Sequence, residues 1–349
     1  MDILCVGMYR AGSTWQYLVT SDLVERHLGG RRLGFLDGEQ FAAHEASCAT
    51  DAVPHVLKSH DAHPRFAAAL AQGRALAVYS YRDLRDVAFS LAHKYVTSFE
   101  EVVERHGFLH VSLANDAFWT AQPRTLCQSY EQLVTAPEAA VAALAAHLGI
   151  ALAAGEAAML AERYSLAANR SRTVELSHRL RAQGLELEDP ANALARDEHT
   201  QLHWNHIRAG RIGAWREQAT PRQIAVLAEI CGPWLIARGY EPDSGWIAPA
   251  LDLLREELAA TRLALSRTET ELARLRPLGP AALRVAWRCH ELAQRHPRLW
   301  AALRRLLTRL RDTRPGGSPA VPARPVLASP RPAADYSSSR VNAKSPTSG

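Results

Sequence analysis

The sequence predicts an α/β fold in which helices flank a central parallel sheet, with an α-helical extension at the C-terminus. Over the first 245 residues, short apolar runs typical of buried strands alternate with helical patterns. The first strand, residues 2–7, is joined by a glycine-bounded loop to a helix that begins at Ser13. Beyond Pro249 the chain changes to regularly spaced leucines and then to basic and Pro-rich sequence.

Length and composition limit the class of protein. The 349 residues suffice for one large α/β domain with extensions, and the hydrophobic content of 47% is ordinary for a globular chain. The net charge of +5 suits an anionic ligand but does not indicate nucleic-acid binding. The five cysteines are scattered without metal-ligand spacing, which favours a reducing compartment. Because no signal peptide or long apolar run is evident, we expect a cytoplasmic protein.

The loop after the first strand, residues 8–12, is called the anion loop here. It lies in a G-x-x-x-x-G pattern from Gly7 to Gly12, and Ser13 and Thr14 follow. Unpaired N–H groups at a helix N-terminus and the helix dipole favour a bound anion. A nucleotide-hydrolysing P-loop has lysine directly after the second glycine, where this chain has Ser13. The cation of this loop is instead Arg10.

Polar side chains follow a second short strand. Residues 56–57 are its apolar part, and Lys58 and His60 lie at its carboxyl end, where open parallel sheets bind ligands. Because they are two residues apart in an extended segment, both side chains project to one side.

A third strand, residues 75–81, runs into a helix that Asp83 can cap. Arg82 lies at the junction and Ser90 two turns into the helix, so both can reach the same point above the strand ends. Arginine offers a forked donor to a phosphate and serine a hydroxyl.

The remaining apolar patterns complete the domain. Residues 31–50, 97–115 and 170–205 are expected to be connections that line a substrate site. A strand is expected to end within 125–133. Further helices are expected at 65–72, 136–148, 156–168, 172–183, 221–230 and 234–238.

Four segments, in order, resemble the motifs of sulfotransferases that use 3′-phosphoadenosine-5′-phosphosulfate (PAPS). The anion loop resembles their 5′-phosphosulfate loop, with Ala11 in place of the usual serine. The resemblance implies a P-loop NTPase-like sulfotransferase fold over residues 1–245 and PAPS as the sulfuryl donor. At the 5′ end of PAPS it implies contacts from Arg10, Ala11, Gly12, Ser13, Thr14 and Trp15.

The other three motifs concern the rest of the donor. Residues 81–90 resemble the 3′-phosphate motif, which implies that Arg82 and Ser90 bind that phosphate. Residues 125–133 resemble the segment whose tyrosine lies near the adenine, here Tyr130. Residues 206–216 resemble a C-terminal phosphate-binding segment, although Ala209 and Ala214 depart from it. That segment implies contacts from Arg208, Ala209 and Gly210.

The resemblance also implies a mechanism of direct in-line transfer to a hydroxyl. The Lys-x-His pattern is similar to the segment that carries the family's catalytic base, which would be His60, with Lys58 and Arg10 stabilising charge. His63 and Glu45 are competing bases, since some members use a carboxylate. No metal is expected. The acceptor is expected to be a glycan, a lipid or a small metabolite with a free hydroxyl.

The C-terminal segments suggest partners. Residues 250–276 have short coiled-coil spacing, 279–312 predict basic amphipathic helices, and 313–349 predict a disordered tail. We expect these helices to form a homodimer or to make peripheral contact with the inner membrane surface. The sequence does not choose between these two roles.

Two alternatives to a sulfotransferase remain at this point. One is a P-loop nucleoside or sugar kinase, against which Ser13 in the lysine position argues. The other is a non-catalytic nucleotide-binding scaffold that its helical tail recruits to a partner.

Overall fold

The computed structural model describes residues 1–47, 53–189, 194–205 and 210–275, together with Asn192, Ile207 and six residues between 284 and 291. Residues Met1–Ala264 form one compact unit, which contains the whole sheet. Five parallel strands lie in the order β2-β3-β1-β4-β5. Their bounds are β1 Asp2–Gly7, β2 Arg31–Phe35, β3 His55–Ser59, β4 Ala75–Tyr81 and β5 Thr125–Ser129. The predicted fold class is confirmed.

Twelve α-helices are described along the chain. They are α1 Ser13–Leu28, α2 Gly38–Ser47, α3 Pro64–Ala71, α4 Leu84–Lys94, α5 Phe108–Thr120, α6 Tyr130–Thr135, α7 Pro137–His147, α8 Glu156–Arg163, α9 Leu166–Ala182, α10 Trp215–Gln218, α11 Pro221–Ala237 and α12 Ala248–Leu275. Short π-helical and 3₁₀ turns span Glu101–Arg105 and Ser244–Ile247.

The apolar strands form the middle layer of the unit, because both faces of the sheet are buried. Along β1, Leu4 and Val6 face a cluster that includes residues of α3, α4, α5 and α11. Ile3 and Cys5 point to the opposite cluster, with residues of α1, α7 and α8.

The strand register brings the predicted motifs together. Gly7 of β1 pairs with Ser80 of β4, and Val6 pairs with Ser59 of β3. The segments that follow these three strands therefore leave the same edge of the sheet side by side.

All three predicted connections contain regular structure, and residues 170–205 include most of α9. Residues 31–50 include β2 and α2, and residues 97–115 include the π-helical turn and the start of α5. The sequence signal of β2 is weak because it is an edge strand with few apolar side chains. Arg32 on this strand forms a bidentate pair with Glu25 at 2.7 and 2.8 Å.

Two helix boundaries were wrong. The chain breaks between α8 and α9 at Tyr164–Ser165, where the Ser165 hydroxyl accepts a hydrogen bond from the Ala168 N–H and caps α9. Helix α11 continues through Pro233, where the pattern predicted a break. Its buried side chains Cys231 and Leu235 lie on both sides of this proline, so packing outweighs the lost backbone bond.

The C-terminal expectations are tested only in part. Residues 250–276 were expected to be helical, and α12 covers almost all of them; pairing of this helix stays a prediction. Most of 279–312 and all of 313–349 lie outside the described residues. No helix in the described part of the chain is long and apolar enough to cross a membrane.

Candidate active site

A cavity of about 630 Å³ lies at the carboxyl ends of the central strands. It is lined by the anion loop, by residues after β3 and β4, and by residues of α4, α6, α7, α8 and α9. The predicted site residues that line it are Arg10, Gly12, Ser13, Thr14, Trp15, Lys58, His60, Arg82, Ser90, Tyr130 and Gly210. Ala11 is buried in the loop, and Arg208 and Ala209 lie outside the described residues.

The anion loop leaves the start of α1 open towards an anion. Gly12 is the N-cap residue, with no side-chain cap and no acidic residue in the first turn. The first N–H groups of α1 are therefore available to a ligand. The Thr14 hydroxyl is buried and has no hydrogen-bond partner among the described residues.

Two features of the loop favour glycine at position 12. Its φ is 90°, and a Cβ there would lie 2.8 Å from Leu133 Cδ1. Gly29 also has a positive φ, of 62°, but open space around it. We expect Gly12→Ala to lower the free energy of unfolding by clearly more than the roughly 1 kcal/mol expected of Gly29→Ala. Denaturant unfolding measures both, and equal losses would contradict a steric role for Gly12.

His60 has one defined proton position. Its Nδ1 lies 2.8 Å from the carbonyl oxygen of Gly7, and because a carbonyl can only accept, Nδ1 carries the hydrogen. Its Nε2, 3.1 Å from Lys58 Nζ, is then the acceptor. Asn115 donates to the His60 carbonyl oxygen at 2.8 Å, and the Tyr9 ring lies 5.0 Å from the imidazole. The ring is therefore fixed in the tautomer that has a lone pair on Nε2.

Burial keeps this pair weakly basic. Burial, and then the Lys58 charge, lower the pKa of His60 well below its ordinary value. Burial, and then the charge of Lys94, lower the pKa of Lys58 to about 7. At neutral pH the imidazole is neutral, as a general base must be.

The two competing bases lie elsewhere. His63 caps α3 through a hydrogen bond from the Arg65 N–H to its Nδ1, and Glu45 pairs with Arg74. Neither is among the described residues that line the cavity.

Arg82 is held in place by the protein. Its guanidinium lies 4.1 Å from the centre of the Tyr130 ring. It donates to Asp86 Oδ2 at 3.2 Å and to the Arg211 carbonyl oxygen at 2.8 Å. Its Nε is buried without a hydrogen-bond partner among the described residues, so this donor is available to a ligand.

Ser90 is connected to the anion loop rather than to Arg82. Its hydroxyl accepts a hydrogen bond of 2.9 Å from Arg10 Nε. Burial, and then the charge of Arg82, lower the pKa of Arg10 to about 10. Arg10 and Arg82, the cations expected at the 5′-phosphosulfate and the 3′-phosphate, are therefore near neighbours.

Three further residues at the site were missed from the sequence. Asp86 accepts from the N–H groups of Gly213 and Trp215 at 2.8 and 3.0 Å and so fixes the segment after Gly210. Its i+4 spacing from Arg82 could have indicated this. Lys94 and His203 also line the cavity. Lys94 lies one turn beyond Ser90 on α4, and this helical spacing could have indicated that it faces the same site. No local pattern indicates a role for His203.

The sequence profile of the family described as "Sulfotransferase domain" matches residues 1–239. The chain belongs to this sulfotransferase family. The predicted class, a PAPS-dependent sulfotransferase, is thereby confirmed. No curated protein matches the sequence.

Solved sulfotransferase structures are also similar to the chain. Mouse sulfotransferase SULT7A1, complexed with PAP, is 17% identical, with 66% of this chain and 84% of that chain covered and a TM-score of 0.45. Retinol dehydratase, in complex with androsterone and the inactive cofactor PAP, is 18% identical, with 67% and 80% covered and a TM-score of 0.46.

Among the described residues of this sulfotransferase, one group of three side chains could hold a metal ion: Asp2, His44 and His55. Asp2 and His55 start β1 and β3, at the opposite edge of the sheet from the cavity. This group therefore does not belong to the candidate active site, and a reaction that needs no metal stays a prediction.

Proposed function

We propose that this sulfotransferase moves the sulfuryl group of PAPS to a hydroxyl of its acceptor by in-line displacement, with His60 as the general base. The observation that carries the proposal is the Lys58–His60 pair, which shares one cavity with the anion loop and Arg82. Bound PAPS would supply an activated sulfuryl group on its 5′-phosphate.

The chemistry of the cavity fits such a donor. The open N-terminus of α1, the buried Thr14 hydroxyl and the Arg10 guanidinium suit the 5′-phosphosulfate. The Nε of Arg82 and the Ser90 hydroxyl suit the 3′-phosphate. Tyr130 donates to the Gly210 carbonyl oxygen at 3.1 Å and bounds the same region with its ring, in keeping with an adenine contact. The contacts expected from Arg208 and Ala209 to the donor stay predictions.

In the reaction, Nε2 of His60 takes the proton of the acceptor hydroxyl. The acceptor oxygen forms a bond to sulfur while the bond between sulfur and the 5′-phosphate oxygen breaks, and adenosine 3′,5′-bisphosphate (PAP) leaves. Lys58 turns from Nε2 of His60 to the sulfuryl oxygens, which frees the lone pair of the base. Arg10 and the first N–H groups of α1 stabilise the charge that develops on the leaving phosphate.

The donor site is tested by its ability to recognise the 3′-phosphate. PAP and AMP differ in that phosphate alone, so the ratio of their affinities isolates its contribution. Wild-type protein should favour PAP, and Arg82→Met should reduce the ratio by about 10- to 100-fold, because a hydrogen bond between charged groups is lost. Arg82→Lys should retain part of the preference.

Isothermal titration calorimetry with both nucleotides measures the ratio. Arg105→Met is the matched control, since Arg105 is exposed, forms a surface ion pair with Glu101 and does not line the described cavity. An unchanged PAP-to-AMP ratio in Arg82→Met would refute the assignment of Arg82.

The acceptor class and the role of the C-terminal region remain proposals. A glycan, a lipid or a small metabolite can each present the hydroxyl. Dimerisation through α12, or contact of the basic helices with a membrane surface, would place the domain near such an acceptor.

A further inference from the structure

We infer that the acceptor carries an anionic group besides its hydroxyl, which binds in an acceptor subsite made by Lys94 and His203 of the cavity lining, with Arg196 behind them. The inference rests on the proposed function and names the chemistry of the substrate. The group would be a carboxylate, a sulfate or a phosphate, which share a negative charge and oxygen acceptors.

Lys94 provides the central observation. It ends α4 and lines the cavity, yet only 9% of it is exposed. Among the described residues no carboxylate pairs with it; its ammonium lies 5.5 Å from the centre of the Tyr95 ring. A buried ammonium without a counter-ion is costly, so the position favours a ligand that brings the negative charge.

The other two subsite residues come from the segment before Gly210. Arg196 and His203 face each other across an isolated antiparallel bridge. Asn205 fastens this segment to α4 by donating to the Lys94 carbonyl oxygen at 3.2 Å. The segment therefore holds a second cation, Arg196, and the neutral His203 imidazole beside Lys94.

The charges around this subsite have one sign. Burial, and then Arg10 and Arg196, lower the pKa of Lys94 to about 8. Burial, and then Lys94 and Lys58, lower the pKa of His203 to about 2, so at neutral pH this imidazole is a neutral hydrogen-bonding group. Arg196 has a counter-ion, Glu198 at 3.5 Å, but Glu198 is itself exposed to solvent.

The carboxylates that line the described cavity do not offset these charges. Asp86 is committed to Arg82 and to two backbone N–H groups. Glu138 and Glu162 lie on α7 and α8, which pack on the opposite face of the sheet from α4. The acceptor side therefore stays cationic.

Aromatic side chains lie between the proposed base and the residue next to Lys94. The ring of Tyr9 lies 5.0 Å from that of His60 and 5.7 Å from Phe108, which stacks on Tyr95. This series of rings, of which Tyr9 lines the cavity, runs from the proposed base towards the residue next to Lys94. An acceptor with a flat apolar body could place its hydroxyl at His60 and its anionic group at Lys94.

The test compares two probes that differ in charge alone, 4-hydroxyphenylacetate and 4-hydroxyphenylacetamide, on the PAP-saturated full chain. Calorimetry should show that the acid binds at least about tenfold more tightly than the amide, as expected for a hydrogen bond between charged groups. Lys94→Met should remove that preference. Arg65→Met, which removes an exposed positive charge outside the cavity, should keep it.

The outcomes distinguish the two levels of the proposal. If wild-type protein does not bind PAP, the proposed function itself fails. If PAP binds but the acid shows no preference over the amide, including the case in which neither binds, the acceptor subsite is overturned. A preference that survives in Lys94→Met also overturns it, and so does a loss of PAP affinity of about tenfold or more in that variant, which would place Lys94 at the donor.

Discussion

His60→Ala is expected to lose about 10²- to 10⁴-fold in turnover while it still binds PAP, the range typical of removing a general base. The imidazole is buried, neutral and oriented by the Gly7 carbonyl oxygen, so its lone pair is available once Lys58 moves away. Turnover is measured as PAP formed from PAPS with an alcohol in excess.

The choice of acceptor sharpens this experiment. An aliphatic alcohol must lose its proton during transfer, whereas 4-nitrophenol is already largely ionised at about pH 8 and needs no base. The loss in His60→Ala should therefore be large with the alcohol and small with the nitrophenol. A merely structural role would reduce both reactions alike.

His63→Ala is the matched control for the base. His63 is three residues away and caps α3 outside the described cavity lining, so its loss should leave the ratio of the two reactions unchanged. If His60→Ala turns over the alcohol as fast as wild-type protein does, the base is another group.

Arg10→Met is expected to lower turnover by about 10²- to 10³-fold, the usual effect of removing one donor that stabilises developing charge. Arg10 lies in the anion loop with a φ of 63°. Its Nε is held by the Ser90 hydroxyl at 2.9 Å, so the guanidinium is oriented before the donor binds. Arg10→Lys keeps the charge without the fork and should lose much less.

Kinetic parameters identify where Arg10 acts. If the guanidinium acts mainly on the transition state, Arg10→Met lowers kcat more than it raises KM for PAPS. Arg31→Met, on the edge strand β2, is a control for the loss of one exposed arginine. A kcat within a fewfold of wild type in Arg10→Met would contradict the role.

The central part of the fold could be predicted from the sequence, because buried strands leave a strong local signal. Residues 2–7 and 75–81 coincide with β1 and β4, whose side chains are almost all buried. The edge strand β2 could not be predicted, since its arginines and Gly34 resemble a loop. Helix α11 was divided at Pro233 because local propensity ignores the packing on either side.

The candidate site, too, could be predicted from the sequence only in part. Arg10, Lys58, His60 and Arg82 lie at or just after the carboxyl ends of strands that the register places side by side, so their convergence could be foreseen. The hydrogen bond from Arg10 to Ser90 could not, because it joins residues 80 positions apart. His203 also depends on tertiary structure alone, since a segment distant in sequence brings it to the cavity.

Above all, we propose that the cavity binds a 3′-phosphorylated sulfuryl donor. The most direct measurement is calorimetric titration of the wild-type protein with PAP, and with ATP plus Mg²⁺ in parallel. We expect tight binding of PAP and weak or no binding of Mg²⁺–ATP. Tight binding of Mg²⁺–ATP with none of PAP would contradict it and favour phosphoryl transfer.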